Sequence, residues 1–403
     1  MSILTLVDSD GTLRSAELRD SVATARPTAP LRSRVAFAAA HVVPRTASET
    51  VPGAPADIDW DATLRFRHEV WSWGLGVADA MDTAQRNMGL DAAATRELIR
   101  RSAAEADSVD GSLVVGVNTD HIDDEVISLD AVIDAYREQL AFVEDTGAGA
   151  VLMASRHLAR VAQGPDDYRR VYDAVLGSAT SPVVLHWLGT AFDPQLEGYF
   201  GSSDTAAAAD TMLAIIAHNA EAVAGVKMSL LDAAAEVSVR RRLPASARMF
   251  TGDDFNYVSL IAGDDEGHSD ALLGAFAALA PLASTAIQAL DAGDTDGYRS
   301  VLGPTEELSR HIFSAPTFYY KTGVAFLAWL NGHQDAFLMV GGLHAARSVP
   351  HLSRTVELAN AAGALTDPEL AAARWHALLS VNGVDAARAT IAPPASALSE
   401  VVA

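Results

Sequence analysis

A chain of 403 residues, 49% of them hydrophobic, is long enough for one large domain of about 250 residues with extensions, or for two domains. Its formal net charge of −23 opposes binding to nucleic acid phosphates or to an anionic membrane surface, which leaves a small soluble molecule as the expected partner. The absence of cysteine excludes a disulfide framework, a thiolate metal site and a cysteine nucleophile, and with no basic leader and no apolar run of about 18 residues the chain reads as cytoplasmic.

The first elements are short. Ile3 to Val7 and Leu13 to Leu18 flank the turn-like Asp8-Ser-Asp-Gly11 and read as a hairpin, followed by an Ala/Pro-rich linker near Pro27 to Pro30. From Arg34 apolar runs alternate with amphipathic stretches, the pattern of an α/β fold with a parallel sheet. The strands are expected at Val35–Val42, Gly74–Ala80, Leu113–Val117, Ala148–Ala154, Pro182–Trp187, Ala222–Lys227, Arg248–Thr251 and Ser269–Leu273. Eight strands are the number that closes a (β/α)8 TIM barrel. The intervening helices are expected at Trp60–Trp73, Asp91–Ala106, Leu129–Asp145, Asp166–Gly177, Asp204–Asn219, Leu231–Arg241, Phe255–Ile261 and Ala277–Ala292, with Asp91 and Asp166 as N-caps. Helices at Thr295–Phe313, Phe318–Leu330, Ala345–Ala362 and Pro368–Leu379 follow, and the stretch from Ala386 reads as a loosely ordered tail. The expected division is a hairpin and linker over 1–33, the barrel over 34–292, a helical region over 293–385 and a tail over 386–403.

Lysine is nearly absent: Lys227 and Lys321 stand against 27 arginines. A guanidinium stays charged, whereas a primary amine can be tuned to neutrality and attack a carbonyl to form a Schiff base. Lys227 ends the apolar run Glu221-Ala-Val-Ala-Gly-Val-Lys227, which delivers one amine to the C-terminal end of a buried strand, where the chemistry of such barrels sits. The same rim gathers His41, Asp79, Asp82, Thr83, Asn118, Arg156, His157, His186, Asp253 and Asp254. Lys321 lies at the start of a helix beyond the barrel and reads as structural, its stem packed and its charge reaching solvent or a carboxylate. Tyr319-Tyr320 reads as packing for the C-terminal helices, and Asp253-Asp254 as a cap for the seventh helix or as part of the site.

Ala224-Gly-Val-Lys-Met-Ser229 followed by Met249-Phe-Thr-Gly-Asp-Asp254 resembles strands six and seven of the dihydrodipicolinate synthase and N-acetylneuraminate lyase superfamily. Asp57-Ile-Asp-Trp60, Gly147-Ala-Gly-Ala-Val-Leu-Met153 and Phe313-Ser-Ala-Pro-Thr-Phe-Tyr-Tyr-Lys321 resemble further segments of it, so the likeness runs from about Arg34 to about Asn331. The resemblance implies that Lys227 forms an imine with a keto compound, that no cofactor is needed and that the chain is a homo-oligomer. Two departures mark a divergent branch. The family's glycine-rich loop after strand two, which receives the keto acid carboxylate, is replaced by Asp79-Ala-Met-Asp-Thr-Ala-Gln85, so Asp79 and Asp82 would repel an anionic substrate. The strand-five tyrosine that moves protons in the family falls at His186, which has the acid–base range to replace it.

The expected function is therefore a class I lyase or aldolase acting on a keto acid or a sugar-derived keto compound. Lys227, desolvated and near Arg156, is the nucleophile, His186 the acid–base group, and Asp82, Thr83, Asn118 and Asp253 bind substrate hydroxyls. Two alternatives remain open on the same barrel. One is a divalent-metal aldolase or sugar isomerase using His41, Asp79 and His157 with other rim ligands, and the other is a barrel that binds a metabolite without catalysis.

Overall fold

The computed structural model describes residues 3–385 and 390–391. Strands β1 (Ile3–Val7) and β2 (Leu13–Glu17) form the antiparallel hairpin. The barrel strands follow as β3 (Ala36–Ala39), β4 (Gly76–Asp79), β5 (Leu113–Val117), β6 (Gly149–Leu152), β7 (Val183–Leu188), β8 (Val223–Ser229), β9 (Arg248–Thr251) and β10 (Asp270–Leu273). Each pairs in parallel with the next, and β10 closes onto β3. All eight expected strands are present, and the architecture is a (β/α)8 barrel with a hairpin before it and helices after it.

The helices between strands are α1 (Trp60–Ser72), α2 (Ala92–Ser108), α3 (Leu129–Glu144), α4 (Arg156–Val161), α5 (Pro165–Leu176), α6 (Thr205–His218), α7 (Ala233–Arg240) and α8 (Tyr257–Ala262). After the last strand come α9 (Ala275–Asp291), α10 (Thr295–Leu302), α11 (Thr305–Ile312), α12 (Tyr320–Leu330), α13 (Val349–Ala361) and α14 (Pro368–Val381). Asp91 caps α2, its carboxylate accepting from Ala94 N. Asp166 does not cap α5: Pro165 occupies the first helical position, where a missing N–H costs nothing, and Asp166 pairs with Arg169 one turn on. Thr295–Phe313 is two helices, because Gly303 and Pro304 interrupt the run and proline supplies no N–H to continue it. The short α4 is an element that the sequence pattern did not announce; Ser155 caps it by accepting from Leu158 N.

Two apolar layers hold the barrel. An inner cluster of Phe37, Ala39, Ala78, Met81, Val151, Met153, Val184, Phe250 and Leu272 fills the lumen, and alternate positions such as Val77, Val115, Leu185 and Val226 pack outward on the helices. The C-terminal helices are part of the same outer core, since α12 is buried along its whole length and packs on α9 and on the 82–84 turn after β4. The hairpin locks onto them: Ser353 accepts from Val7 N at 2.7 Å, and Trp375 donates to Thr5 O at 2.7 Å. Thr390–Ile391 pairs in parallel with β2; the rest of the expected tail lies outside the described residues. Among the described residues no helix is long and apolar enough to cross a membrane.

Candidate active site

Lys227 lies beside His186 of β7 and Phe250 of β9 in the strand register. Phe250 belongs to the inner cluster, and neighbours in register share a face, so the lysine stem enters the lumen. Only 7% of the residue is exposed. Burial lowers the amine's pKa below the ordinary 10.5, and the carboxylates of Asp82 and Asp254 oppose that shift in part. Asp254 is itself buried and accepts from Ala275 N, at the start of α9, at 2.9 Å. Burial pushes its pKa up to about 7, against the Ala275 bond and the nearby Lys227. Gly252 makes room for this arrangement, because a Cβ there would stand 2.8 Å from Lys227 Cε and closer still to Ser229 Oγ.

His186 is fully buried in the same layer. Its Nε2 is 3.1 Å from Ser229 Oγ, and its Nδ1 has no partner. Burial, reinforced by the charge of Lys227, holds its pKa well below the usual 6.5, so the ring is a neutral hydrogen-bonding group at physiological pH.

Lys321 comes to the same mouth. Rather than reaching solvent, it is 3% exposed, with Nζ donating to Phe318 O at 3.1 Å and lying over the rings of Tyr320 and Phe318. Burial lowers its pKa to about 8, with Asp82 and Asp193 opposing the shift and Arg156 adding to it. Arg156 thus stands near Lys321 and is not among the groups that act on Lys227. Tyr320 also does more than pack helices, since its hydroxyl is 2.7 Å from Thr83 Oγ1 and its ring stacks on Phe313 over Gly274.

A cavity of about 230 Å³ is lined by Asp82, Asn118, Met153, Arg156, Phe192 and Phe318 among others. Asp82, Asn118 and Arg156 line this cavity, with Arg156 tied through Nε to Asp193 at 2.6 Å. Lys227 lies outside the cavity lining, next to Asp82, which belongs to it. Thr83 is buried against Tyr320, and Asp253 is held in its own loop, where its carboxylate accepts from Phe255 N, Asn256 N and Asn256 Nδ2.

The proposed metal ligands are not brought together. Asp79 follows the inward Ala78 by one residue, so it faces outward, where it accepts from Arg67 at 2.7 and 2.8 Å. His41 turns to Phe66 and bonds Gln334. Both nitrogens of His157 are engaged, by Thr119 Oγ1 and Asp124 O. Among the described residues no three His, Asp or Glu side chains are grouped to hold a metal ion.

Residues 4–384 match the model of the family described as "Protein of unknown function (DUF993)". The chain belongs to that family. Solved structures share the fold: a 4-hydroxy-tetrahydrodipicolinate synthase from Methylacidiphilum fumariolicum SolV, 14% identical with a TM-score of 0.63, is matched over 84% of this chain and 99% of that one. A dihydrodipicolinate synthase from Bacteroides thetaiotaomicron is 15% identical with a TM-score of 0.60, over 82% and 99% of the two chains. One from Aquifex aeolicus is 12% identical with a TM-score of 0.57, over 87% and 98%. No curated protein matches the sequence.

Lys321 and Tyr320, which the sequence pattern assigns to packing, and Asp254, which it leaves between helix cap and site, thus stand near the rim that carries Lys227. For Lys321 the signal was present, because the same scarcity that singled out Lys227 applies to it. For Asp254 only the hydrogen-bonding of the turn decides which of two adjacent carboxylates faces the amine.

Proposed function

We propose that this barrel is a class I lyase or aldolase in which Lys227 attacks the carbonyl carbon of a small keto acid or sugar-derived keto compound. The amine adds to the C=O to give a carbinolamine; loss of water leaves a protonated C=N bond, which accepts the electron pair of the neighbouring C–C or C–H bond as that bond breaks. The observation that carries the reading is a lumen-facing amine at the C-terminal end of β8, buried, lowered in pKa and beside an enclosed carboxylate, in a chain that uses arginine almost everywhere else. The structurally similar dihydrodipicolinate synthases support the same reading. Asp254 is the group best placed for proton exchange with Lys227, since burial brings it to about 7, close to working pH. His186, held neutral, accepts or donates a hydrogen bond on the adjacent strand. The charge objection to an anionic substrate weakens, because Asp79 is neutralised by Arg67 outside the lumen and Asp82 is faced by both lysines.

Borohydride reduction in the presence of pyruvate, other keto acids and oxidised sugars, followed by peptide mass mapping, tests this. A substrate-sized adduct on Lys227 is expected, and Lys227→Arg is expected to abolish it while retaining the fold. The neutral fraction of the amine grows as pH rises through its pKa, which lies below 10.5, so adduct formation should reach half its maximum below pH 10.5. Activity without any adduct on Lys227 would remove the imine from the mechanism.

A further inference from the structure

The cavity lies along one arc of the barrel mouth. Its wall takes Asp82 from the turn after β4, Asn118 from the end of β5, Met153 and Arg156 from the end of β6 and the start of α4, and Leu188 from the end of β7. These four strands are consecutive neighbours, and β7 pairs in turn with β8, where His186 stands beside Lys227. Met153 also belongs to the inner cluster with Phe250, the register partner of Lys227, so the cavity adjoins the apolar layer that the lysine stem enters. We propose that Arg156 binds an anionic group of the substrate, a carboxylate or phosphate set apart from the carbonyl that Lys227 attacks, and so selects keto compounds with an anion at their far end. This rests on Lys227 being the nucleophile, as proposed above.

Three arginines line the cavity, and their hydrogen bonds tell them apart. Arg86 commits its guanidinium to Asp120 and to the carbonyls of Ala80 and Gly116. Both terminal nitrogens of Arg160 are taken, one by Glu125 O and the other by Gln195 Oε1. Arg156 donates only from Nε, to Asp193 at 2.6 Å, and its two terminal nitrogens have no hydrogen-bond partner among the described residues. Asp193 is itself held, because its other oxygen accepts from Gln195 N at 3.1 Å. The guanidinium is thus aimed from one edge and open at the other, and the open edge presents the parallel N–H groups that match a carboxylate or phosphate. The carboxylates of the lining do not cancel this. Asp120 is paired with Arg86 at 2.6 Å, Asp123 and Glu125 are exposed on the outer loop, and Asp82 follows β4, with β5 between it and the strand that leads to Arg156. Only β7 separates β6 from β8, roughly 10 Å at the usual strand spacing. A carboxylate bonded to the carbonyl carbon stays with that carbon at the lysine, so the group that meets Arg156 is one carried further along the substrate chain.

Borohydride trapping on the intact chain compares two pairs of probes: 2-oxopentanoate with 2-oxoglutarate, which adds a distal carboxylate to the same carbon chain, and dihydroxyacetone with its phosphate. The wild type is expected to trap the member with the distal anion at a concentration lower by on the order of tenfold in at least one pair, and that pair identifies the anion as carboxylate or phosphate. Arg156→Gln should bring the ratio close to one, and Arg156→Lys, a point charge without the fork, should keep part of it. The Arg156 side chain is 33% exposed, so these variants are expected to fold; Asp193→Asn, which releases Nε, should lower the ratio as well. Glutarate and inorganic phosphate, which have no carbonyl, are also titrated by calorimetry against wild type and Arg156→Gln. Adducts on Lys227 with no preference in either pair, or with a preference that survives Arg156→Gln, overturn the role of Arg156 and keep the nucleophile. No adduct with any probe, together with glutarate or phosphate bound by the wild type and not by Arg156→Gln, refutes the nucleophile and keeps the anion site. Neither adduct nor binding refutes both.

Discussion

One step of the strand pleat separates the inner cluster's Ala78 from Asp79, and that step decides the carboxylate's role. Turned outward, Asp79 accepts from Arg67 and Ser102 in a place where neither ion is exposed. Asp79→Ala would leave the guanidinium buried without its counter-charge, at a cost of about 3–5 kcal/mol, read as a lower urea midpoint at unchanged slope. The folded fraction should still trap a carbonyl compound on Lys227, because Asp79 does not reach the lumen. Gly252→Ala should do the opposite: the new methyl meets Lys227 Cε and Ser229 Oγ, so trapping falls by about tenfold or more, a misplacement effect, in a protein that remains folded. At this scale Lys227 was legible through rarity and strand position. The outward turn of Asp79 was legible in principle from period-two alternation. The choice between Asp253 and Asp254 was not, because it depends on which of them the backbone N–H groups of the loop claim.

The strands are legible in the sequence to within one to three residues at their ends, Val35–Val42 being expected where Ala36–Ala39 forms, because each is a short apolar run that no amphipathic helix could supply. Helix positions followed from their periodic stripes, with errors where proline chemistry decides, at Pro165 and Pro304. What the pattern could not convey is that α12, which follows the barrel in sequence, lies across its mouth. Eleven consecutive buried residues mark it as central, yet nothing local says which partner covers it. The contact that seats it is the Tyr320–Thr83 hydroxyl pair. Tyr320→Phe leaves Thr83 Oγ1 without that partner in a buried site and is expected to cost about 1–3 kcal/mol by urea unfolding.

At the scale of the whole molecule, the two ends of the chain and the barrel are interlocked. Residues of the hairpin bond α13 and α14, α12 packs on α9, and Asn360 reaches back to Glu17 O and accepts from Arg19 N. The sequence pattern places a boundary at residue 292, where the helix expected after the eighth strand ends. We propose that barrel, hairpin and C-terminal helices unfold as one cooperative unit, since interfaces this apolar do not open independently at little cost. Trp187 on β7 and Trp375 on α14 report on the two regions. In two proteins that each retain only one of these tryptophans, the urea transitions are expected to share a midpoint and to coincide with the transition in helical circular dichroism. An earlier transition at Trp375 would instead show that the C-terminal helices leave the barrel first. Lys321 and Tyr320 would leave the site with them, and carbonyl trapping on Lys227 should then change along that first transition. A shared midpoint ties the chemistry of Lys227 to the integrity of the whole chain, and a chain ended after Asp291 is then expected neither to fold cooperatively nor to trap a carbonyl compound.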